Sequence, residues 1–299
     1  MKDSIIFSLS TNKKLAKLIS EKSGIPMGEN VIQRFADGEI MVRCLSNIRG
    51  KTCYVVQSTI APSSDSLFEI FIFVDSLKNA GAKEIVLITP YYGYSRQDRV
   101  AQKGEPITAK IVANLLQSSG ISQLISVDLH TQQIQGFFSI PVINLETSEL
   151  FGNYFVKRFN ELGIRHEDVV VISPDHGSAN RGRDLCSSFT NASLAVIDKR
   201  RPAPNKSEVT NVVGDVKGKT CLIVDDIVDT CGTINNAVEA LFNKGAKEVF
   251  VAVTHAILSG NKLDSRIREF VTTDTIEKNV NGATVLSISD TIAKTILSE

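Results

Sequence analysis

The chain has 299 residues, 42% hydrophobic and 22% charged, with 33 basic side chains balanced by 33 acidic ones. This is the composition of an ordinary globular protein with room for about two domains, and zero net charge gives no basic signature of a nucleic-acid binder. No apolar run approaches bilayer-spanning length. The five cysteines and four histidines contain no CxxC or HxxxH spacing, which argues against a disulfide framework, a zinc ribbon or a dedicated transition-metal cage.

The apolar stretch of MKDSIIFSLS is too short and too broken by serine for a signal peptide. It reads as a first strand, and a reducing cytoplasm is the simplest setting. Short runs rich in β-branched residues then recur: TCYVVQ (52–57), EIVLITP (84–90), QLISVDLH (123–130), DVVVISPD (168–175), TCLIVDD (220–226) and EVFVAVTH (248–255). Continuous Val/Ile/Leu runs are expected of strands buried on both faces of a parallel sheet. Helical periodicity fills the gaps. LFEIFIFVDSLKNAG (67–81) closes on Gly81, while Ile234, Ala237, Val238, Leu241 and Phe242 share one helical face that Gly245 is placed to end. RRPAPNKSE (200–208) is expected to be a mobile loop.

The chain also repeats itself. RGKTC at Arg49 returns as KGKTC at Lys217, with Gly50 and Gly218 168 residues apart. GAKE at Gly81 returns at Gly245, 164 residues on. Two matches in the same order predict an α/β fold of two duplicated domains, residues 1–147 and 148–299, each a mostly parallel sheet flanked by helices.

Open α/β sheets bind ligands beyond the carboxyl ends of their strands, so the residues following the apolar runs carry the functional reading. In CLIVDDIVDTCGT (221–233), Asp225 and Asp226 are placed to accept hydrogen bonds from sugar hydroxyls or to face a cation. Asp229, Thr230, Cys231, Gly232 and Thr233 form a turn whose backbone N–H groups, at a helix start, suit a phosphate. Acids at a helix start are common in any protein; two of them behind a buried strand, followed by TxGT, favour a sugar-phosphate site. GDVKGKT (214–220) is not a P-loop, since it has three residues between its glycines and precedes its strand. PYYGYSRQDR (90–99) offers aromatics for stacking and arginines for phosphates. His130 and Asp175 sit at strand ends, and Lys199, Arg200 and Arg201 form a basic run beside the expected loop.

VDDIVDTCGT resembles the phosphoribosyl-diphosphate signature of type I phosphoribosyltransferases. With RFADGE, PYYGYSRQD, EPITAK, DLHTQQIQGFF, SPDHG, DKRRPAPN and THAILSG in that order, the chain resembles the ribose-phosphate pyrophosphokinase family. The resemblance implies transfer of the diphosphoryl group of ATP to the C1 hydroxyl of ribose 5-phosphate with Mg²⁺, giving 5-phosphoribosyl 1-diphosphate and AMP for nucleotide biosynthesis. It implies ATP binding by Arg96 and Gln97 in the first domain, with Phe35, Asp37 and Glu39 supplied to a neighbouring subunit. Ribose 5-phosphate binding would fall to residues 225, 226 and 229–233, metal association to His130 and Asp175, and catalysis to Lys199 and Arg201. It further implies a homo-hexamer built from dimers. Gly104 stands where many members carry Arg near the allosteric region, SPDHGSANRGR departs from the glycine-rich form, so that His176 receives no role, and Cys231 replaces a small residue. A phosphoribosyltransferase and a non-catalytic regulatory homologue remain the alternatives.

Overall fold

The structure, a computed structural model, describes residues 3–175, 177–203, 206–260 and 262–298, with the side chains of 199–203 and 206–210 outside the description. It divides into two compact units, Met1–Leu145 with Asp274–Glu277 and Ser287–Glu299, and Glu146–Thr273 with Lys278–Leu286.

In the first unit the chain runs β1 (Ser4–Ser8), α1 (Lys13–Ser23), β2 (Asn30–Arg34), β3 (Ile40–Cys44), β4 (Thr52–Val56), α2 (Ser63–Asn79), β5 (Glu84–Thr89), α3 (Thr108–Ser119), β6 (Gln123–Val127) and β7 (Val142–Leu145). Five strands pair in the order β1-β4-β5-β6-β7, every neighbouring pair parallel. Phe7, Val55, Phe73, Leu87 and Leu124 are sealed in its core, as expected of strands covered on both faces. The strands β2 and β3 form a separate antiparallel hairpin, whose Ile32 and Val42 pack against that core.

The second unit follows as α4 (Ser148–Glu161), β8 (Val169–Ser173), α5 (Ala179–Cys186), β9 (Ser193–Ala203), β10 (Lys206–Val213), β11 (Thr220–Val228), α6 (Gly232–Asn243), β12 (Glu248–Ala256), β13 (Ile267–Thr273) and β14 (Ala283–Leu286). Its seven strands pair as β10-β9-β8-β11-β12-β13-β14, with β9 and β10 the antiparallel pair. The stretch 200–208, expected as a loop, is thus largely strand: Arg200 pairs with Glu208 and Lys199 with Val209. The apolar β-branched flanks, SLAVI on one side and VTNVV on the other, carry the pairing outward past the Pro and Lys residues.

The sequence repeat has one structural meaning. The Gly50 N–H donates to the Gly81 carbonyl at 2.8 Å, and the Gly218 N–H to the Gly245 carbonyl at 2.8 Å. Lys83 N–H to Lys51 O (2.8 Å) is matched by Lys247 N–H to Lys219 O (2.9 Å). Thr52 lies opposite Glu84 as Thr220 lies opposite Glu248. Gly81 and Gly245 sit at φ 83° and 84°, a left-handed geometry that ends α2 and α6 and that side chains resist. The repeated motifs therefore encode the same helix-to-strand turn in each unit.

Each compact unit is discontinuous in sequence. Residues 274–277 leave the second unit and rejoin the first, as does α7 (Ser289–Ser298). Asn12 Nδ2 and Ser58 Oγ both donate to the Thr275 carbonyl, at 2.8 and 2.7 Å, while the Ser58 N–H donates to Asn12 Oδ1 at 2.7 Å. All three residues are buried. Gln57 and Ser58 hold the positions that match Asp225 and Asp226 in the repeat. In the first unit that place is filled by the chain's own returning segment.

Candidate active site

The acid-rich segment begins inside a strand. β11 continues to Val228, and Asp225 and Ile227 pair with Val253 and His255 of β12. Asp225 and Asp226 therefore lie within the sheet's carboxyl-terminal end, 9% and 4% exposed. The Asp226 N–H donates to Asp225 Oδ1 at 3.0 Å, and Arg181 Nη1 stands 3.6 Å from Asp226 Oδ1. Burial and the charge of Asp226 hold the Asp225 carboxyl well above the usual carboxylate range, with Arg181 opposing them and Asp175 adding to them. Two adjacent buried carboxylates repel each other, and Arg181 offsets part of that repulsion.

Beyond Val228 the backbone turns sharply. Cys231 takes a left-handed conformation, φ 65°, and α6 begins at Gly232, two residues earlier than the apolar pattern suggested. The first amides of this helix are free of intrahelical partners by construction, and Thr233 is exposed beside them while Cys231 is buried. Burial pushes the Cys231 thiol up, Asp229 reinforcing and Lys278 opposing, so this cysteine is a filler of the turn and a poor nucleophile. Ile234, Ala237, Val238 and Leu241 bury the helix's inner face and fix the turn to the sheet.

Asp175 follows β8, and its Oδ1 accepts from the Ser178 N–H and hydroxyl, both at 3.0 Å, at the start of α5. That helix carries Arg181 to Asp226. Asp175, Asp225, Asp226 and the 229–233 turn therefore all belong to the second unit, at the carboxyl ends of adjacent strands β8 and β11. Sequence reasoning missed Arg181. Its signal was a basic residue one turn into the helix that follows SPD.

The remaining predicted residues lie in the first unit. Arg96 and Gln97 are exposed in the loop after β5, and His130 is exposed after β6. Thr131 Oγ1 donates to Asp98 Oδ2 at 2.8 Å and ties these loops together. Two of the three aromatics of PYYGY are not free to stack on a ligand. Tyr91 and Tyr92 are buried, Tyr92 donates its hydroxyl to the Ala109 carbonyl at 2.8 Å, and burial pushes its pKa up. Phe35, Asp37 and Glu39 occupy the exposed turn between β2 and β3, closed by Phe35 N–H to Glu39 O at 2.9 Å. Phe35 is 58% exposed. Arg34 anchors this hairpin to Asp65 of α2 at 2.7 Å.

His130 and Asp175 fall in different units. Among the described residues no group of three or more His, Cys, Asp or Glu side chains is arranged to hold a metal ion, and no helix is long and apolar enough to cross a membrane. The side chains of Lys199 and Arg201, and all of His176, lie outside the described residues.

A parallel sheet that ends in a buried acid pair, followed by a Thr/Gly turn at a helix start, defines a protein of the phosphoribosyltransferase type. Comparison with known proteins narrows the class. Residues 4–120 match the N-terminal domain of ribose phosphate pyrophosphokinase and residues 149–288 the phosphoribosyl transferase domain. Ribose-phosphate pyrophosphokinase 2 of Enterococcus faecalis is 48% identical over 91% of this chain and 84% of its own length. The ribose-phosphate pyrophosphokinase of Bacillus subtilis is 45% identical over 98% and 92%. The crystal structure of phosphoribosylpyrophosphate synthetase from Mycobacterium smegmatis, 38% identical, superposes with a TM-score of 0.90 over 99% of this chain and 98% of that one. The chain belongs to the ribose-phosphate pyrophosphokinase family.

Proposed function

We propose that the chain transfers the intact diphosphoryl group of ATP to the C1 hydroxyl of ribose 5-phosphate, releasing AMP and 5-phosphoribosyl 1-diphosphate. The observation that carries the reading is the β11–α6 segment, in which two buried carboxylates precede a phosphate-sized turn at a helix N-terminus. In this reading residues 229–233 bind the 5-phosphate through backbone N–H groups and threonine hydroxyls, and Asp225 and Asp226 accept hydrogen bonds from the ribose hydroxyls. Arg96 and Gln97 bind the ATP phosphates. Phe35, Asp37 and Glu39 bind adenine on a neighbouring subunit, which the exposure of their turn allows. Lys199 and Arg201, on the β9–β10 pair, neutralise charge on the transferring group. Phosphoryl-type transfer depends mainly on such positioning and neutralisation.

The buried acid pair and the oxygen donor of Asp175 suit a hard cation, and a site without a full cage among the described residues suits one that keeps waters and substrate oxygens. Mg²⁺, with Asp175 and His130 as the residues associated with it, would polarise the phosphoryl oxygens when bound. The chain's own contribution is to hold the sugar and the nucleotide phosphates in place and to exclude bulk water from the acid pair. We further place the protein in the cytoplasm as a homo-hexamer built from dimers.

The test is product analysis. Incubation with ATP, Mg²⁺ and ribose 5-phosphate should give AMP and phosphoribosyl diphosphate in equal amounts by phosphorus NMR; ADP as the nucleotide product, or no turnover, overturns the assignment.

A further inference from the structure

The phosphate turn does not support itself. The Val228 carbonyl, immediately before Asp229, accepts from the backbone N–H groups of Ile257 and Leu258, at 2.9 and 3.1 Å. Those two residues in turn offer their own carbonyls to one ammonium: Lys278 Nζ donates to Ile257 O at 2.7 Å and to Leu258 O at 2.9 Å. The same segment touches the turn twice more. Ser259 Oγ donates to Asp229 Oδ1, and Gly260 backs onto Thr230 so closely that a Cβ there would lie 2.7 Å from Thr230 Cα. Leu258 holds a left-handed φ of 51°, a conformation that a leucine adopts only when its surroundings impose it. Everything in this arrangement lies within the second unit.

We propose that Lys278, acting through residues 257–260, positions the 229–233 turn for the phosphate of ribose 5-phosphate. Hydrogen bonds from an ammonium to carbonyls are stronger than neutral ones, and Lys278 makes two of them to consecutive residues. Its charge also reaches the turn, since Lys278 counters the upward shift of the Cys231 thiol. A cation held there favours a dianionic ligand without touching it. Lys278 is a positioning residue and no part of the reacting group. The inference rests on the reading of residues 229–233 as the phosphate site.

Calorimetry with ribose 5-phosphate on the full chain, together with steady-state kinetics, tests it. Lys278→Met should raise the dissociation constant and the KM for ribose 5-phosphate about tenfold, with kcat and the KM for ATP unchanged and a weaker dependence of ribose-phosphate binding on salt. Lys278→Arg, which retains the charge and donors, should recover most of the loss. Gly260→Ala, which presses on Thr230, should show the same selective defect. If Thr233→Val and Asp229→Ala weaken ribose 5-phosphate but Lys278→Met does not, the lysine has no positioning role. If none of the three changes binding, residues 229–233 are not the phosphate site and both readings fall. An equal loss of affinity for ATP and the sugar phosphate would mark Lys278 as a general stabiliser and overturn the proposal.

Discussion

Arg181 Nη1 lies 3.6 Å from the Asp226 carboxylate, with both side chains largely closed to solvent. Burial and the neighbouring Asp226 charge raise the Asp225 pKa, with Arg181 opposing them. The sign follows directly. Between the ordinary carboxylate range and its own raised pKa, Asp225 binds more protons in the folded than in the unfolded chain, so its contribution to stability falls as pH rises. Asp225→Asn removes that penalty. The variant should melt about 2–4 °C higher than the native protein at pH 8, with the difference shrinking toward pH 4. Calorimetric melting across that range checks it; a constant difference would show that Asp225 is charged in the folded state throughout.

Restoring an acid in the first unit should not restore a site. Ser58 stands where the repeat has Asp226, but it is buried against the Thr275 carbonyl and Asn12 Oδ1. A carboxylate at that point keeps the Tyr91 N–H donor, which now reaches the Ser58 hydroxyl at 3.0 Å, but is set against the Thr275 carbonyl that the hydroxyl donates to. Ser58→Asp should lose about 3–5 kcal/mol of stability in denaturant titrations, and the protein should still bind one ribose 5-phosphate per chain by calorimetry.

Phe35 offers a clean separation of stability from function. Its ring is mostly exposed at the tip of the β2–β3 hairpin, so Phe35→Ala should leave the melting temperature nearly unchanged. If it binds adenine of a neighbouring subunit, the KM for ATP rises about three- to tenfold. Kinetics with ATP varied at saturating ribose 5-phosphate reads the effect.

Lys199→Ala should lower kcat by orders of magnitude while ribose 5-phosphate affinity by calorimetry stays near native, because neutralising charge on a transferring group acts mainly in the transition state. A near-native kcat would remove Lys199 from catalysis.

The duplicated frame was readable because the signal is local. RGKTC/KGKTC and the two GAKE motifs encode turns closed by neighbouring backbone groups, and the Val/Ile runs of β4, β5, β11 and β12 are buried as their composition requires. The acid–Thr–Gly segment was likewise readable from its place after an apolar run. What escaped depends on contacts far apart in the chain. The return of residues 274–277 rests on Asn12 and Ser58, more than 200 positions away. Tyr91 and Tyr92 look like stacking residues until the α3 carbonyl that receives Tyr92 is known. Lys278 sits in a polar, exposed stretch with no periodicity to single it out. The basic run at 199–201 reads as a loop from its prolines, and only pairing with β10 makes it a strand.

The return of α7 to the first unit has a consequence for how the protein is made. That helix packs against α1, whose Leu15, Ala16 and Ile19 are buried, and brings Ile292, Ala293 and Ile296 to its own buried face. During synthesis the amino-terminal unit emerges from the ribosome first, yet it lacks this covering until residues 289–298 have also left the exit tunnel. Through most of translation it carries an unsealed apolar surface, a hazard for aggregation. The first part of the chain to be made is thus the last to be finished.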